Sequence, residues 1–480
     1  MTGRIFLSLA GTNEVEPRFH ARSLFGMDVH AVAAGAQVVM DGQTPGDPER
    51  TLADLPPGDY NVQALLNVYT EFHRADGHTI WAHMDQWEGQ EFERSPGNYF
   101  SRTQTIHVEK GAPTTVHLTL ENIIPPISIP PDSQWVKRIK IQSPRLTKFW
   151  GHPIFIGATV LLPAGYAEHQ DAHYPVIYIQ GHFNHGSPFG FDEHADTNGK
   201  KNEFYETWTS DDFPRVIAVT FQHPTPYFDD SYGVNSPNCG PYGDAIHEEL
   251  IPMLEGEFRM IRAPYARVLV GTSTGGWGAL AMQIYNPDFY GGAWAFSPDP
   301  VDFRLYYGGV NIYEDDNAFV EKPGVGFEGG GRSNREGSRR CAILGTQDGR
   351  FEWWKHTPTG PDGYPLPVWD LATGKIDRAV VEQMRANNFD LREYLARNWS
   401  QLGPKLKGKL HLTAAEKDGF YSNLAVHLFE EFMRSTQNPH VVAEFRYGPP
   451  GSHHGWQPMS NAALVRIMAK HIAEQETNAP

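Results

Sequence analysis

Residues 266–280 read ARVLVGTSTGGWGAL, and this stretch decides the fold. The apolar, β-branched residues before Gly271 are typical of a buried strand, and the apolar run after Gly275 is typical of a helix. Between them, Gly-Thr-Ser-Thr-Gly places Ser273 at the tip of a tight strand-to-helix turn, where glycines relieve backbone crowding. The pattern predicts a nucleophile elbow with Ser273 as the nucleophile, and a plain structural turn is the alternative.

A nucleophilic serine needs a base and a carboxylate that orients the base, and on this scaffold both follow the serine in the chain. Residues 409–413 read as a late buried strand, and the turn after them carries Asp418, which we predict to be the acid. Two alternatives stay open. Glu416 lies in the same turn, and Asp299 follows the strand that comes after the elbow helix.

The predicted last strand, residues 442–447, opens into a loop with two adjacent histidines. A loop between the last strand and the last helix is where the base is expected. We predict that His454 is the base, because it directly precedes Gly455 and Trp456, and His453 is the alternative. The chain has 22 histidines, so an isolated histidine elsewhere carries little weight.

From about Trp135 to the C-terminus, the chain resembles the Putative esterase family of α/β-hydrolases, which includes enterochelin esterases and feruloyl esterases. The resemblance is carried by several segments and by the order of the Asp418 and His454 loops; the segments are residues 174–179, 240–245, 249–252, 271–277 and 287–289. It implies an α/β-hydrolase fold, with a mixed, mostly parallel sheet flanked by helices. It also implies acyl transfer through an acyl-enzyme intermediate, with no metal or organic cofactor.

The oxyanion hole that this mechanism needs is expected from two backbone N–H groups, those of Thr274 and Phe183. Many family members carry His-Gly after the third strand, whereas this chain has Gly181-His182-Phe183. Side chains expected near the substrate are His182, Trp277, Trp353 and Trp354. For the tryptophans, packing in the core is the alternative interpretation.

A metal site is the competing interpretation of the segment that follows the third strand. His182, His185 and His194 lie close in sequence to Asp192, Glu193 and Asp196, and such side chains can ligate zinc or calcium. The spacing matches no helix-based motif such as H-E-x-x-H. We therefore predict a polar active-site loop and no metal.

The chain divides into two predicted domains. Residues 1–122 show short alternating segments, such as 36–40, 60–66 and 114–120, and predict a small all-β, Ig-like sandwich. A Pro-rich linker is predicted at 123–134, followed by an α/β-hydrolase catalytic domain at 135–480 with a lid or cap insertion around 300–405. Packing is the favoured role of the N-terminal domain; the alternatives are that it holds the catalytic domain, shapes the site entrance, binds a polymer or forms homodimer contacts.

Composition limits the partners. A formal charge of −17 disfavours nucleic acid and anionic membranes, and no stretch approaches the roughly 18 apolar residues of a membrane span. The apolar run at residues 5–10 reads as a first strand rather than a signal-peptide core. Two cysteines fit either a reducing or an oxidising compartment. We expect a soluble protein, cytoplasmic, or exported if a leader has been removed.

Three function classes follow from these patterns. A serine esterase that cleaves small-molecule or polymer-attached carboxylic esters comes first, on the ordered set Ser273, Asp418 and His454. A peptidase, amidase or acyltransferase on the same scaffold shares that set and differs in the leaving-group pocket. A non-catalytic glycan-binding protein is the third class, and the intact elbow argues against it.

Overall fold

The N-terminal region is built from antiparallel strands. The computed structural model describes residues 1–194, 199–320, 330–345 and 355–477. Strands β1 to β8 form one hydrogen-bonded network, in which the long β4 pairs with β1, β5, β6 and β7. The strands are Gly3–Ala10, Ser23–Val29, Gly46–Asp47, Gly58–His73, Thr79–His83, Tyr99–Ser101, Gln104–Val108 and Leu120–Ile123.

Two of the predicted N-terminal strands are wrong. Residues 36–40 form no strand, and of residues 114–120 only Leu120 does. Val38 and Val39 are exposed there. Alternating residues form a strand only where a neighbouring strand pairs with them, and no described strand pairs with residues 36–40 or 114–119. The first strand and the strand at 60–66 are confirmed within β1 and β4.

The second sheet also has eight strands, in the order β18-β17-β16-β15-β11-β12-β10-β9. Strand β10 pairs antiparallel with both of its neighbours, β9 and β12, and all other neighbouring strands in this sheet are parallel. This mixed, mostly parallel sheet confirms the predicted fold class. The strands β9 to β12 and β15 to β18 are Val136–Gln142, Phe155–Leu161, Val176–Gln180, Ile217–Gln222, Arg267–Thr272, Gly292–Phe296, Leu410–Ala414 and Glu444–Tyr447. Short β13 (Asn235–Ser236) and β14 (Gly240–Pro241) pair separately.

Helices cover both faces of this sheet, so its central strands are buried on both sides and read as continuous apolar runs. In β15, Leu269 packs on one face, with Trp277 and Leu280 of the elbow helix; Val268 and Val270 pack on the other, with Leu464. The helices α1 to α10 are Pro144–Trp150, Glu203–Trp208, Tyr242–Ala245, Ile251–Glu257, Thr274–Tyr285, Gly330–Leu344, Arg378–Ala386, Leu391–Leu402, Ser422–Ser435 and Asn461–Thr477. Among the described residues, no helix combines the length and the apolarity needed to cross a membrane.

The stretch predicted as a lid makes contacts in two directions. Helix α6 packs on the N-terminal sheet, where Ile343 joins a core with Phe6 and Leu65 and its carbonyl accepts a hydrogen bond from Arg4 Nε at 2.7 Å. Leu391 and Leu395 of α8 belong instead to the core of the hydrolase sheet. The domain boundaries and the closing of this stretch over the site stay predictions.

The buried Arg74, just after β4, joins the N-terminal sheet to the hydrolase domain. Its guanidinium donates to the carbonyls of Gly363 and Pro237, both at 2.9 Å. The Tyr364 hydroxyl bonds the backbone of Trp81 in both directions at 3.0 Å. The two parts therefore share a polar, hydrogen-bonded interface.

Candidate active site

Ser273 lies at the sharp turn between β15 and α5. Its backbone is left-handed, with φ 56° and ψ −123°, a conformation that non-glycine residues hold only where the surroundings enforce it. A Cβ on Gly271 would lie 2.2 Å from the carbonyl oxygen of Gly275, and one on Gly275 would lie 2.1 Å from that of Gln180. Only glycine fits at these two positions, so the turn has the geometry of a nucleophile elbow and leaves Ser273 half-buried at its tip.

Asp418 and His454 meet at the carboxyl ends of β17 and β18. The imidazole Nδ1 of His454 donates to Oδ2 of the fully buried Asp418 at 2.8 Å. The same carboxylate accepts the Phe420 N–H at 2.9 Å and the Ser422 hydroxyl at 2.8 Å. With Nδ1 donating, the neutral ring presents the lone pair of Nε2, which is buried and makes no hydrogen bond with any described residue. His454 is therefore arranged to accept a proton.

Two hydrogen-bonded ties fix the loop that carries His454. The Ser452 hydroxyl accepts the N–H of Glu416 at 2.8 Å, and the Ser452 carbonyl accepts the N–H of Lys417 at 2.7 Å, which joins this loop to the Asp418 loop. On the other side, Gly455 N–H donates to the Ser297 hydroxyl at 3.2 Å. These ties hold the base loop between the loops that follow β16 and β17.

A second carboxylate lies directly beside Ser273. The Ser273 hydroxyl donates to Asp299 Oδ1 at 3.3 Å, and Asp299 Oδ2 accepts the Thr274 hydroxyl at 3.2 Å and the Tyr232 hydroxyl. Asp299 is 5% exposed. In this resting arrangement the serine proton is shared with Asp299, and the structure records no hydrogen bond from Ser273 to His454.

The alternatives left open by the sequence occupy different places. Glu416 and His453 are exposed. Asp299 contacts the nucleophile rather than Nδ1 of His454. The structure thus brings together Ser273, Asp418 and His454 at one end of the sheet, and their catalytic roles stay predictions.

The protonation of His454 reflects its neighbours. Burial lowers the pKa of this imidazole, but the hydrogen bond to Asp418 and the negative charges of Asp418 and Asp299 outweigh burial, so the net pKa is raised. A base with a raised pKa is protonated, and hence inactive, up to a higher pH than an ordinary histidine.

We therefore expect kcat/KM for ester hydrolysis to rise with pH through an inflection above about 6.5, the ordinary histidine value. Asp299→Asn removes one negative charge that raises this pKa, so its inflection should move to lower pH. Profiles of kcat/KM against pH for the wild type and the variant measure the shift. An unmoved inflection in Asp299→Asn would show that this carboxylate does not act on the base.

The predicted oxyanion donors lie in two different segments. Thr274 is the first residue of α5, directly after Ser273. Phe183 follows β11, in a loop (residues 181–186) that touches the elbow, because a Cβ on Gly275 would lie 2.9 Å from the Gly181 nitrogen. The Phe183 ring points the other way, edge-on to Trp87 of the N-terminal region at 5.0 Å.

The residues predicted to contact the substrate differ in their exposure to solvent. His182 is 44% exposed and pairs through Nδ1 with Asp229 at 2.8 Å and with Asp230 at 3.2 Å. Trp277 is completely buried against Tyr232 and His356, which speaks against contact with a substrate. Trp353 and Trp354 lie outside the described residues. Phe420, for which no motif predicts a role, is 48% exposed with its ring 4.8 Å from that of His454.

Among the described residues, one group of side chains has the spacing of metal ligands, namely His182, Asp229 and Asp230. Burial lowers the pKa of His182, but its hydrogen bonds to the two carboxylates raise it to about 11, so the ring is a cation. Lys355 Nζ adds a second cation 2.7 Å from Asp230. A metal ion bound to these three side chains would have to displace the proton on His182 and compete with the Lys355 ammonium for Asp230. His185, Asp192, Glu193 and His194, which belong to the competing metal interpretation, do not join this group, and Asp196 lies outside the described residues.

Comparisons with known proteins place the chain among esterases. The family model described as Putative esterase matches residues 155–445, more than half of the chain. Similar solved structures include a ferulic acid esterase, at 16% identity over 71% of this chain and 98% of that one, with a TM-score of 0.42. An S-formylglutathione hydrolase from Agrobacterium tumefaciens has 14% identity over 71% and 93%, with a TM-score of 0.37. A ferulic acid esterase from the anaerobic fungus Anaeromyces mucronatus has 14% identity over 72% and 93%, with a TM-score of 0.35. No curated protein sequence matches this chain.

Proposed function

The chain belongs to the Putative esterase family, and from that premise we propose that it is a serine hydrolase that cleaves carboxylic esters through an acyl-enzyme. The observation that carries the proposal is the buried Nε2 of His454, which has no hydrogen-bond partner among the described residues while Nδ1 is held by Asp418. An unpaired buried polar atom costs about 1–3 kcal/mol. A serine proton accepted during the reaction would supply the missing partner.

In the proposed mechanism, the Ser273 hydroxyl turns from Asp299 to Nε2 of His454 and attacks the carbonyl carbon of the ester. The proton passes to Nε2, and Asp418 stabilises the imidazolium. The backbone N–H groups of Thr274 and Phe183 hold the negative oxygen. When the C–O bond breaks, His454 returns the proton to the leaving alkoxide, which departs as an alcohol.

Water then releases the acyl group. His454 takes a proton from the water as its oxygen attacks the acyl carbon, and gives that proton to the Ser273 oxygen when the carboxylic acid leaves. These steps need no metal or cofactor. Phe420 lies beside the imidazole of His454. Its apolar ring favours a substrate that carries an apolar group next to the scissile bond.

Labelling with a fluorophosphonate probe tests this proposal. We expect a single phosphonylated site, mapped to Ser273 by mass spectrometry, together with turnover of short and medium p-nitrophenyl esters. Heat-denatured protein serves as the control and should take no label. A label on Ser273 without ester turnover would redirect the proposal to amide bonds or another acyl group, and a folded protein that takes no label would contradict it.

A further inference from the structure

A loop of the N-terminal region reaches into the hydrolase domain at the segment that should supply an oxyanion donor. This loop, residues 85–90, follows β5, and we call it the N-terminal loop. Trp87 is buried and lies edge-on to Phe183, with ring centroids 5.0 Å apart. Gly89 approaches the same ring so closely that a Cβ there would lie 2.8 Å from Phe183 Cδ1. The contact is therefore made by both side chain and backbone.

The N-terminal loop is rigidly organised from within. The Asp85 carboxylate accepts three backbone N–H groups, those of Trp87 at 3.0 Å, Glu88 at 3.2 Å and Gly89 at 2.9 Å. Trp87 has φ 70° and Gln90 has φ 64°. Left-handed backbone at two non-glycine residues costs energy, of order 1–3 kcal/mol each, and persists only where the surroundings over-determine it.

Buried polar contacts anchor this loop at both ends. Within the N-terminal sheet, Glu88 bonds His83 Nε2 at 2.5 Å, and His83 Nδ1 bonds Asn67 of β4 at 2.7 Å. Toward the hydrolase domain, Gln90 donates to the Thr225 carbonyl at 2.5 Å. Lys140 of β9 places its ammonium 4.5 Å from the Trp87 ring. The loop therefore links two cores and holds Trp87 between them.

The segment that it touches is also held from the hydrolase side. His182 pairs with Asp229 and Asp230, and Arg138 donates to the His185 carbonyl at 3.3 Å. Gln222, at the end of β12, bonds Asn184 twice, accepting its N–H at 3.2 Å and donating to its carbonyl at 2.8 Å. The two hydrogen bonds of Gln222 fix one side of residues 181–186, and Trp87 and Gly89 bear on the other side through Phe183. The backbone at Phe183 is thus held between the two domains.

We propose that Trp87 is a positioning residue for the oxyanion hole, so that the N-terminal region completes the catalytic site instead of serving as a separate binding module. The inference rests on the proposed function. An oxyanion donor acts only within about 2.7–3.1 Å of the developing charge, and a misplacement of 1 Å can cost about 10²-fold in rate. Removing the Trp87 ring would free Phe183 to move.

The test compares Trp87→Ala and Gly89→Ala with Trp87→Phe and with Tyr364→Phe. Tyr364→Phe is the matched control, since it removes hydrogen bonds of the same interface far from residues 181–186 in sequence. We expect Trp87→Ala and Gly89→Ala to lower kcat for ester hydrolysis by about 10- to 100-fold, with a smaller change in KM. Trp87→Phe, which keeps an aromatic edge, should recover most of the rate, and Tyr364→Phe should match the wild type.

Hydrogen exchange separates this inference from the proposed function, because it needs no activity. Amides of residues 181–186 should lose protection in Trp87→Ala but not in Tyr364→Phe. Unchanged protection would overturn the positioning role. An equal loss of kcat in Trp87→Ala and Tyr364→Phe would also overturn it, because that result would indicate general destabilisation. If the wild type neither labels nor turns over while residues 181–186 still lose protection in Trp87→Ala, the esterase proposal fails and the coupling between the two regions stands.

Discussion

Ser273→Ala should reduce kcat for p-nitrophenyl ester hydrolysis by on the order of 10⁶-fold, leaving only the residual rate that the oxyanion hole and substrate binding supply. The variant removes the oxygen that attacks the carbonyl carbon, and no other hydroxyl occupies that position, since Thr274 points its hydroxyl to Asp299. The fold should be kept, because alanine fits the elbow backbone no worse than serine and the lost hydrogen bond, at 3.3 Å, is long.

The matched control for this variant is Ser435→Ala. Ser435 is an exposed serine at the end of α9, and its substitution should leave both turnover and labelling unchanged. Circular dichroism and melting temperature verify that both variants are folded. If Ser273→Ala kept a tenth or more of the wild-type rate, or still took the fluorophosphonate label, the nucleophile would be another residue.

Asp418→Asn should lower kcat by about 10⁴-fold, the loss seen when the orienting carboxylate of a serine triad becomes an amide. The carboxylate accepts a hydrogen bond from His454 Nδ1 at 2.8 Å and thereby leaves Nε2 free to act as the predicted base. An amide can turn its NH₂ toward Nδ1 and favour the wrong tautomer. It also carries no charge to stabilise the imidazolium.

Asp299→Asn provides the comparison that identifies the acid. Its carboxylate contacts Ser273, Thr274 and Tyr232 but not Nδ1 of His454. The loss expected from one weakened hydrogen bond of about 1 kcal/mol is roughly fivefold. Steady-state kinetics of the two variants at one pH above the inflection measure the difference. A loss in Asp299→Asn equal to that in Asp418→Asn would contradict the assignment of Asp418.

Much of the site could be predicted because its parts are local in sequence. The elbow is encoded in residues 271–275, where a side chain in place of either glycine would collide with the backbone. The loops that carry Asp418 and His454 are predicted because the acid and the base follow the serine in chain order on this scaffold. The α/β-hydrolase fold is what the resemblance to the esterase family implies.

The contacts that the sequence missed depend on packing between distant segments. Asp299 appeared only as a rival acid, because its approach to Ser273 depends on the register between β15 and β16. Trp87 lies in no motif, and its contact with Phe183 exists only once two domains are packed. Trp277 is predicted to contact the substrate but lies in the core. Residues 274–278 are rich in glycine and have little amphipathic pattern, so the sequence does not show which face of the helix is buried.

The packing of β1 against α6 also has a consequence for folding during translation. Arg4 and its acceptor at Ile343 are 339 residues apart. At about 5–20 residues per second, a ribosome needs roughly 20–70 s between synthesising the two. During that interval the face of β1 that carries Phe6 lacks the part of its cover that Ile343 and Leu344 supply, which makes the nascent chain a natural client for a chaperone. Stalled or truncated translation products that end before α6 would carry the same uncovered surface and be prone to aggregate.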